Sequence, residues 1–139
     1  MSVWSGNNFY FQDTKGVSVW KGGVVSSFLP GVNWIRPKAS PDGKTIVYET
    51  RDSAGSAHTS VVDTTYGLVG ELRSARAEPV FLTSRYIWYR GERPCFAADN
   101  CPPGYPAIPT GKTYIFDLQA GTETESIITS VFDVWPHAA

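Results

Sequence analysis

The feature that most constrains the fold of this chain is an internal repeat of about 42 residues. Thr45–Tyr48 matches Tyr86–Tyr89 at an offset of 41, and Ser18–Trp20 matches a segment 42 residues later. The match between Thr59–Gly67 and Thr113–Gly121 has an offset of 54, which indicates an insertion of about 12 residues in the last repeat. Repeats of this length that carry four short strands are typical of β-propeller blades.

The composition agrees with strands that are broken by tight turns. The 139 residues include 5 Trp, 7 Tyr and 7 Phe, together with 13 Gly and 10 Pro. Aromatic residues favour strands, whereas Gly and Pro favour turns. We predict one all-β domain, a propeller segment of about three four-stranded antiparallel blades, with a β-sandwich as the alternative. The predicted blades are residues 2–33, 34–74 and 75–130, followed by a tail at 131–139.

The middle repeat contains the clearest turn. In the sequence SPDGK, Pro presets the backbone, Asp caps the turn through its side chain, and Gly43 is expected to take a positive φ. Pro37–Tyr48, which reads PKASPDGKTIVY, resembles the repeat of the TolB propeller and of propellers in prolyl-oligopeptidase-type enzymes. The other repeats carry Trp4–Asn7 and Leu82–Arg85 at this place. The resemblance implies a propeller fold and brings no particular partner with it.

The sequence lacks the common motifs for catalysis and metal binding. The sequence has no Gly-x-Ser-x-Gly nucleophile elbow, and its two histidines, His58 and His137, lie outside any His-Glu-x-x-His arrangement. We interpret His58 as a solvated loop residue, and Asp42 and Asp117 as turn carboxylates. We therefore predict a protein that is not an enzyme and that holds no metal and no cofactor.

Charge and hydropathy argue against two classes of partner. Twelve basic residues against thirteen acidic ones leave a net charge of −1, which provides no excess of positive charge for binding nucleic acid. No apolar run approaches the length that crosses a bilayer. The sequence thus predicts no nucleic-acid partner and no membrane insertion.

The candidate binding residues lie in loops at one end of the predicted blades. In an antiparallel meander, the loop that precedes the first strand and the loop between the second and third strands share one end. These loops are the longer ones here, and a rigid scaffold commonly presents its functional residues on such loops. The candidate ligand contacts are Trp34, Arg36, Arg51, Arg73, Arg76, Glu78, Arg93 and Trp135. Two alternatives stay open: the tryptophans cap the core, and the charged residues form a solvated rim or pair with each other across blades.

Cys95 and Cys101 both fall within the insertion Arg93–Gly111, which is rich in Pro and Gly. A loop this short can bring the two sulfurs together, so we predict a disulfide. Disulfides persist in oxidising compartments, which favours a periplasmic or extracellular location. The alternative is two free thiols in a cytosolic protein.

These observations favour a non-catalytic propeller scaffold that binds a protein or peptide. The alternatives are a regulatory or gating propeller piece of a larger hydrolase and a carbohydrate-binding β module. Three blades do not close a ring, because propellers typically have four to eight. We therefore predict self-association, with a head-to-tail homodimer completing a six-bladed ring. The competing possibility is a fragment whose missing blades come from the same parent chain.

Overall fold

The computed structural model describes residues 1–104 and 106–128, and β-strands form nearly all of its regular structure. A single 3₁₀ turn, Ala97–Asp99, lies within the insertion. The strands are β1 Ser2–Ser5, β2 Asn8–Asp13, β3 Gly16–Lys21, β4 Val24–Pro30, β5 Ile35–Ala39, β6 Thr45–Arg51, β7 Ala57–Asp63, β8 Val69–Ser74, β9 Arg76–Phe81, β10 Tyr86–Pro94, β11 Ala107–Asp117 and β12 Thr122–Ser126. Within this part of the chain, no helix is long and apolar enough to cross a membrane.

The strands form three separate sheets, each with four antiparallel strands in chain order. We call β1–β4 blade 1, β5–β8 blade 2 and β9–β12 blade 3. The first strands of successive blades, β1, β5 and β9, contact each other in turn. This arrangement confirms the prediction of an all-β propeller segment with three four-stranded blades.

The burial of the middle blade shows that it is packed on both sides. Neighbouring side chains along a strand point to opposite faces of the sheet. On β6, Ile46 and Tyr48 belong to the core shared with blade 1, while Val47 belongs to the core shared with blade 3. A strand between two sheets has both faces covered, which explains the continuous apolar run Ile46–Tyr48 in the sequence.

Two apolar clusters join the blades. The cluster between blades 1 and 2 comprises Tyr10, Val17, Val19, Leu29, Trp34, Ile46, Tyr48 and Val62. The cluster between blades 2 and 3 comprises Val47, Phe81, Ile87, Tyr89 and Phe116. Burial of this apolar area is the main favourable contribution to the association of the sheets.

Two threonines at matching repeat positions link blades 2 and 3 to the segments that follow them. The hydroxyl of Thr59 donates to the carbonyl of Arg76, the first residue of β9, at 3.0 Å. Thr113, which is 54 residues after Thr59, donates in the same way to the carbonyl of Ile128. Ile128 therefore stands in relation to blade 3 as Arg76 stands in relation to blade 2.

The turn between β5 and β6 has the predicted geometry. Gly43 has a φ of +71°, a region that residues with a Cβ rarely enter. The Asp42 carboxylate accepts hydrogen bonds from the Ser40 hydroxyl at 2.6 Å and from the Lys44 backbone N–H at 2.9 Å. The SPDGK sequence thus forms a turn capped by its own aspartate.

Candidate functional site

The loops that enter each blade and the loops that join its second and third strands lie at one end of the segment, which we call the loop end. They are residues 14–15 in blade 1, residues 52–56 in blade 2, the insertion after β10 in blade 3, and the connections 31–34 and Ala75 between blades. The opposite end carries the short turns, such as the one at Gly43, and we call it the turn end.

A buried carboxylate organises the loop end. Glu49 on β6 is 0% exposed. Its Oε1 accepts a hydrogen bond from the Glu78 backbone N–H at 2.9 Å and from Arg36 Nη1 at 3.3 Å. Its Oε2 accepts from Arg51 Nε at 2.9 Å. Burial of a carboxylate is unfavourable unless it is paired, and here two guanidinium groups and one backbone amide satisfy it.

Arg51 extends this pairing from blade 2 to blade 3. Its Nη1 and Nη2 donate to Glu92 Oε1 and Oε2 at 2.6 and 3.1 Å, a bidentate geometry that only arginine provides. Within blade 3, Arg90 Nε donates to Glu78 Oε2 at 2.8 Å. Arg51 and Glu78, both predicted as ligand contacts, are therefore engaged in ion pairs at the junction of the two blades.

Arg36 and Glu78 share an unusual backbone conformation. Both have positive φ, +50° and +57°, and each directly precedes a proline, Pro37 or Pro79. The sheet register shifts at both places, so each first strand has an irregularity at the loop end. A residue before proline normally adopts an extended conformation, so sequence reasoning missed this feature. The signal that could have found it is the recurrence of a charged residue and proline 42 residues apart.

Arg73 and Arg76 converge on Glu123 at the interface of blades 2 and 3. Arg76 Nη2 and Nε donate to the two oxygens of Glu123 at 2.9 and 3.1 Å, and its guanidinium lies 3.9 Å from the centre of the Tyr114 ring. Arg73 Nε lies 3.8 Å from Glu123 Oε2. Burial is the largest single influence and raises the pKa of the Glu123 carboxyl, but the hydrogen bonds from Arg76 and Tyr89 and the charges of Arg76 and Arg73 together outweigh it, so the pKa is lowered. This group holds two blades together.

The insertion folds around its own ion pair. Arg93 donates to both oxygens of Asp99 at 2.8 Å, and this arginine lowers the pKa of Asp99 to about 2. Asp99 also accepts from the Phe96 backbone N–H at 2.8 Å. The predicted disulfide between Cys95 and Cys101 is confirmed. Both sulfurs and a carboxylate oxygen of Asp99 lie within 4.8 Å of one another, but the disulfide removes the thiolates that a metal would need.

The disulfide loop packs against the loop between β6 and β7. Gly55 has a φ of +83°, and a Cβ built there would lie 2.1 Å from Cγ of Pro106. Only glycine fits this close approach. The insertion of blade 3 therefore packs against blade 2. Phe96, in the same insertion, is 61% exposed.

The two tryptophans among the candidates have different outcomes. Trp34 is buried in the core between blades 1 and 2, its ring centre lies 5.8 Å from that of Tyr48, and its indole N–H donates to the Met1 carbonyl at 3.1 Å. Of the two roles left open for Trp34, the structure shows the core role. Trp135, like His137, lies outside the described residues.

His58 is a feature that sequence reasoning missed. It lies on β7, not in a loop, and its ring stands between two carboxylates. Nε2 lies 2.8 Å from Asp52 Oδ2, and Nδ1 contacts Glu71 Oε1. The hydrogen bond to Asp52 is the main reason why the pKa of His58 is raised. The two carboxylates meet opposite edges of the ring, so the three groups form an ion-pair chain and do not converge on one metal position.

The predicted arginines are all paired with carboxylates, and Glu78 is paired with Arg90. Two of these ion pairs, Arg51 with Glu92 and Arg73 with Glu123, cross from blade 2 to blade 3. This is the alternative of pairing across blades that the sequence left open. Among the candidate arginines, Arg36 and Arg73 keep the largest share of their side-chain surface in solvent, 47% and 48%. Whether any of these residues binds a ligand stays a prediction.

No family model and no curated protein matches the sequence. Solved structures do match the fold. The acylaminoacyl peptidase of Pyrococcus horikoshii aligns with 91% of this chain at a TM-score of 0.57 and 16% identity. The tricorn protease aligns with 93% at 0.66 and 12% identity, and the β-propeller domain of the Trilobed protease from Pyrococcus furiosus with 91% at 0.58 and 16% identity.

The chain spans only part of each of these proteins. It covers 25% of the acylaminoacyl peptidase chain, 13% of the tricorn protease chain and 42% of the Trilobed propeller domain. Identities this low show a shared fold and nothing finer. The three blades of this chain are thus a segment of β-propeller architecture.

Proposed function

We propose that this chain is a non-catalytic, TolB-like propeller segment that binds a protein or peptide through its loop end. One observation carries the proposal. Arg36 is anchored on the buried carboxylate of Glu49, while about half of its side chain stays in solvent. A guanidinium has five N–H donors, and a peptide carboxylate or carbonyl could accept from those that face solvent.

The scaffold around Arg36 favours binding over chemistry. The positive φ of Arg36 is strained backbone, and strain of this kind persists where the surrounding structure over-determines it, often at binding sites. Exposed Phe96, on a loop closed by the disulfide, offers apolar surface at the same end. The disulfide also supports a periplasmic or extracellular location.

The test uses labelled peptides of known charge. Binding of a fluorescein-labelled Glu-rich decapeptide is followed by fluorescence anisotropy, with a neutral Gly-Ser decapeptide as the reference probe. We expect saturable binding of the acidic peptide and a loss of at least about fivefold in affinity for Arg36→Gln, which is about 1 kcal/mol. Lys44→Gln makes the same charge change at the turn end and should leave the affinity unchanged.

Two results would refute the binding role. One is no saturable binding of either peptide at low salt, where charge contacts are strongest. The other is an equal loss for the two variants, which would mean that only net charge matters and that the loop end forms no site.

A second candidate is a propeller piece of a larger hydrolase. Two observations favour it. Some of the solved structures with this fold are peptidases, and this chain covers only a fraction of each of them. Sequencing of the coding region on both sides of this segment decides the matter. A neighbouring α/β-hydrolase region with a Gly-x-Ser-x-Gly elbow would support it, and a complete reading frame without one would exclude it.

A further inference from the structure

His58 connects a loop of blade 2 with the outer strand of the same blade. On one side of its ring, Nε2 lies 2.8 Å from Oδ2 of Asp52, which begins the loop between β6 and β7. On the other side, Nδ1 contacts Oε1 of Glu71 on β8, the outer strand. We call Asp52, His58 and Glu71 the histidine bridge.

The two contacts of the histidine bridge require a proton on each ring nitrogen. An ionised carboxylate only accepts hydrogen bonds, and a neutral imidazole has a single N–H to donate. The imidazolium form donates from both nitrogens, so it satisfies Asp52 and Glu71 together. In the neutral ring, the nitrogen that has lost its proton presents a lone pair to a carboxylate, and the two repel each other. The bridge is therefore complete only when His58 is charged.

The charges that act on His58 come from the two carboxylates of the bridge. The residues opposite it on the neighbouring strands are Thr50 on β6 and Ser74 on β8, and neither is charged. The cluster that joins β7 to blade 1 consists of aliphatic and aromatic side chains. The other charged residues of β6 and β8 contact blade 3 instead, and they are Glu49, Arg51 and Arg73. The hydrogen bond to Asp52 is the largest cause of the raised pKa of His58, so the ring keeps its charge to a higher pH than an ordinary histidine does.

Asp52 links the histidine bridge to the loop 52–56. Its Oδ1 accepts hydrogen bonds from the backbone N–H groups of Ala54 and Ser56 at 2.9 and 3.0 Å. Its backbone carbonyl accepts from the Gly55 N–H at 2.9 Å. One oxygen of this carboxylate thus contacts His58, while the other holds the loop in its turn. A displacement of the Asp52 carboxylate therefore displaces the loop.

The loop 52–56 in turn contacts the insertion of blade 3. A Cβ built at Gly55 would lie 2.1 Å from Cγ of Pro106, so the loop backbone lies directly against this proline. The carbonyl of Pro106 accepts from the N–H of Cys95 at 2.9 Å, beside the disulfide. A continuous series of contacts therefore runs from His58 to the disulfide loop that carries Phe96.

We infer that the histidine bridge is a proton-dependent device that sets how firmly the insertion is held against blade 2. With His58 charged, the bridge fixes the loop 52–56 to β8, and the loop supports Pro106. Loss of the proton as the pH rises breaks one of the two carboxylate contacts, so the loop and the insertion gain freedom together. Histidine suits this role because its charge changes near neutral pH. This inference does not depend on the proposed binding at the loop end.

The first test follows the protein by NMR as the pH rises from about 5 to about 9. The amide resonances of Gly55 and Cys95 should shift with the same midpoint as the ring of His58. In His58→Gln, whose side chain stays neutral, neither amide should show this transition. The control His137→Gln removes the other histidine of the chain and should leave both transitions unchanged. Amide resonances that do not follow the His58 midpoint, or that still do so in His58→Gln, would overturn the inference.

The second test asks whether the loop 52–56 transmits the change to the insertion. Pro106→Ala shortens the side chain that contacts Gly55. In this variant the Gly55 amide should still follow the His58 midpoint, whereas the Cys95 amide should no longer do so. A Cys95 transition that persists in Pro106→Ala would show that the contact with the loop does not carry the effect, and the inference would fail.

Amide hydrogen exchange measures the size of the effect. Protection factors remove the direct effect of pH on the exchange chemistry, so they are compared at about pH 6 and about pH 9. The protection factor of the Cys95 amide should fall at least about threefold at the higher pH, and those of blade 1 should stay constant. Far-UV circular dichroism checks that the strands stay folded at both pH values. Constant protection at Cys95, or an equal fall in blade 1, would contradict a local device.

Discussion

Replacement of Glu49 by alanine tests the central interaction of the loop end. The variant removes the partner of Arg51 Nε and of the Glu78 amide, which lie 2.9 Å from its two oxygens. A hydrogen bond to a charged group contributes about 1.5 to 3 kcal/mol, and an unsatisfied buried donor costs about 1 to 3 kcal/mol. The bond from Arg36 is longer, and that side chain is half exposed, so solvent screening leaves it a small contribution.

We therefore expect Glu49→Ala to lower the free energy of unfolding by about 3 kcal/mol. For a chain of this size, that corresponds to a fall in Tm of roughly 10 °C. Urea denaturation followed by tryptophan fluorescence measures it, because Trp34 and Trp88 are buried reporters. Glu49→Gln keeps the volume and an acceptor for the Glu78 amide, so it should cost less than the alanine variant.

The control is Glu125→Ala, which removes an exposed carboxylate from β12. It should change the free energy of unfolding by less than about 0.5 kcal/mol, as is usual for surface substitutions. The reasoning is refuted if Glu49→Ala costs no more than this control, since the carboxylate would then be a solvated group with no role in joining blades 2 and 3.

Three further predictions concern the turn, the histidine and the disulfide. Gly43→Val should lower the free energy of unfolding, measured by urea denaturation, by more than about 1 kcal/mol. The cause is the φ of +71°, which strains a β-branched residue, since a Cβ at this position would meet no atom closer than 3.7 Å. An unchanged denaturation midpoint would contradict the assigned turn. NMR titration should place the pKa of His58 above 6.5. The ion pair of His58 then stabilises the fold fully below pH 6.5, and this stabilisation is lost as the pH rises through the raised pKa. The pKa of Asp52 is lowered, so the stabilisation from its charged form is lost as the pH falls. His58→Gln should remove the loss at high pH, and a pKa of 6.5 or below would exclude the ion pair. The double variant Cys95→Ser and Cys101→Ser removes a disulfide that stabilises the fold by about 2 kcal/mol. Amide hydrogen exchange should become faster in the insertion and stay unchanged in blade 1. Faster exchange in all three blades would show that the disulfide loop stabilises the whole segment.

The strands and turns could be predicted from the sequence because the chemistry that forms them is local. Short continuous runs of β-branched and aromatic residues define Thr45–Glu49 and Tyr86–Arg90 as strands, and both lie within observed strands. The positive φ of Gly43 follows from the turn sequence alone. The disulfide could also be predicted, since the chain has only two cysteines and they lie six residues apart.

The pairing of the charged residues was decided by the tertiary structure. Glu49 is indistinguishable in sequence from a strand residue that faces solvent, and its partners Arg36 and Glu78 are 13 and 29 residues away. Their positive φ runs against the local preference before proline, so the surrounding sheets impose it. The sequence predicts a solvated loop residue at His58, because the contact with the Glu71 carboxylate forms only when β7 pairs with β8.

The apolar residues of blade 1 also separate what the sequence determines from what the tertiary structure determines. In sequence, Phe9 and Trp20 have the pattern of core residues, as Tyr10 and Val19 do, because apolar side chains on strands predict burial. The period of two residues assigns these pairs to opposite faces of one sheet. Which face meets another sheet depends on where the next blade lies in space, and that position is set by the packing of blade 2 on Tyr10 and Val19. The sequence thus determined that blade 1 has two apolar faces, and only the tertiary structure decided that blade 2 packs on the face with Tyr10 and Val19 and not on the face with Phe9 and Trp20.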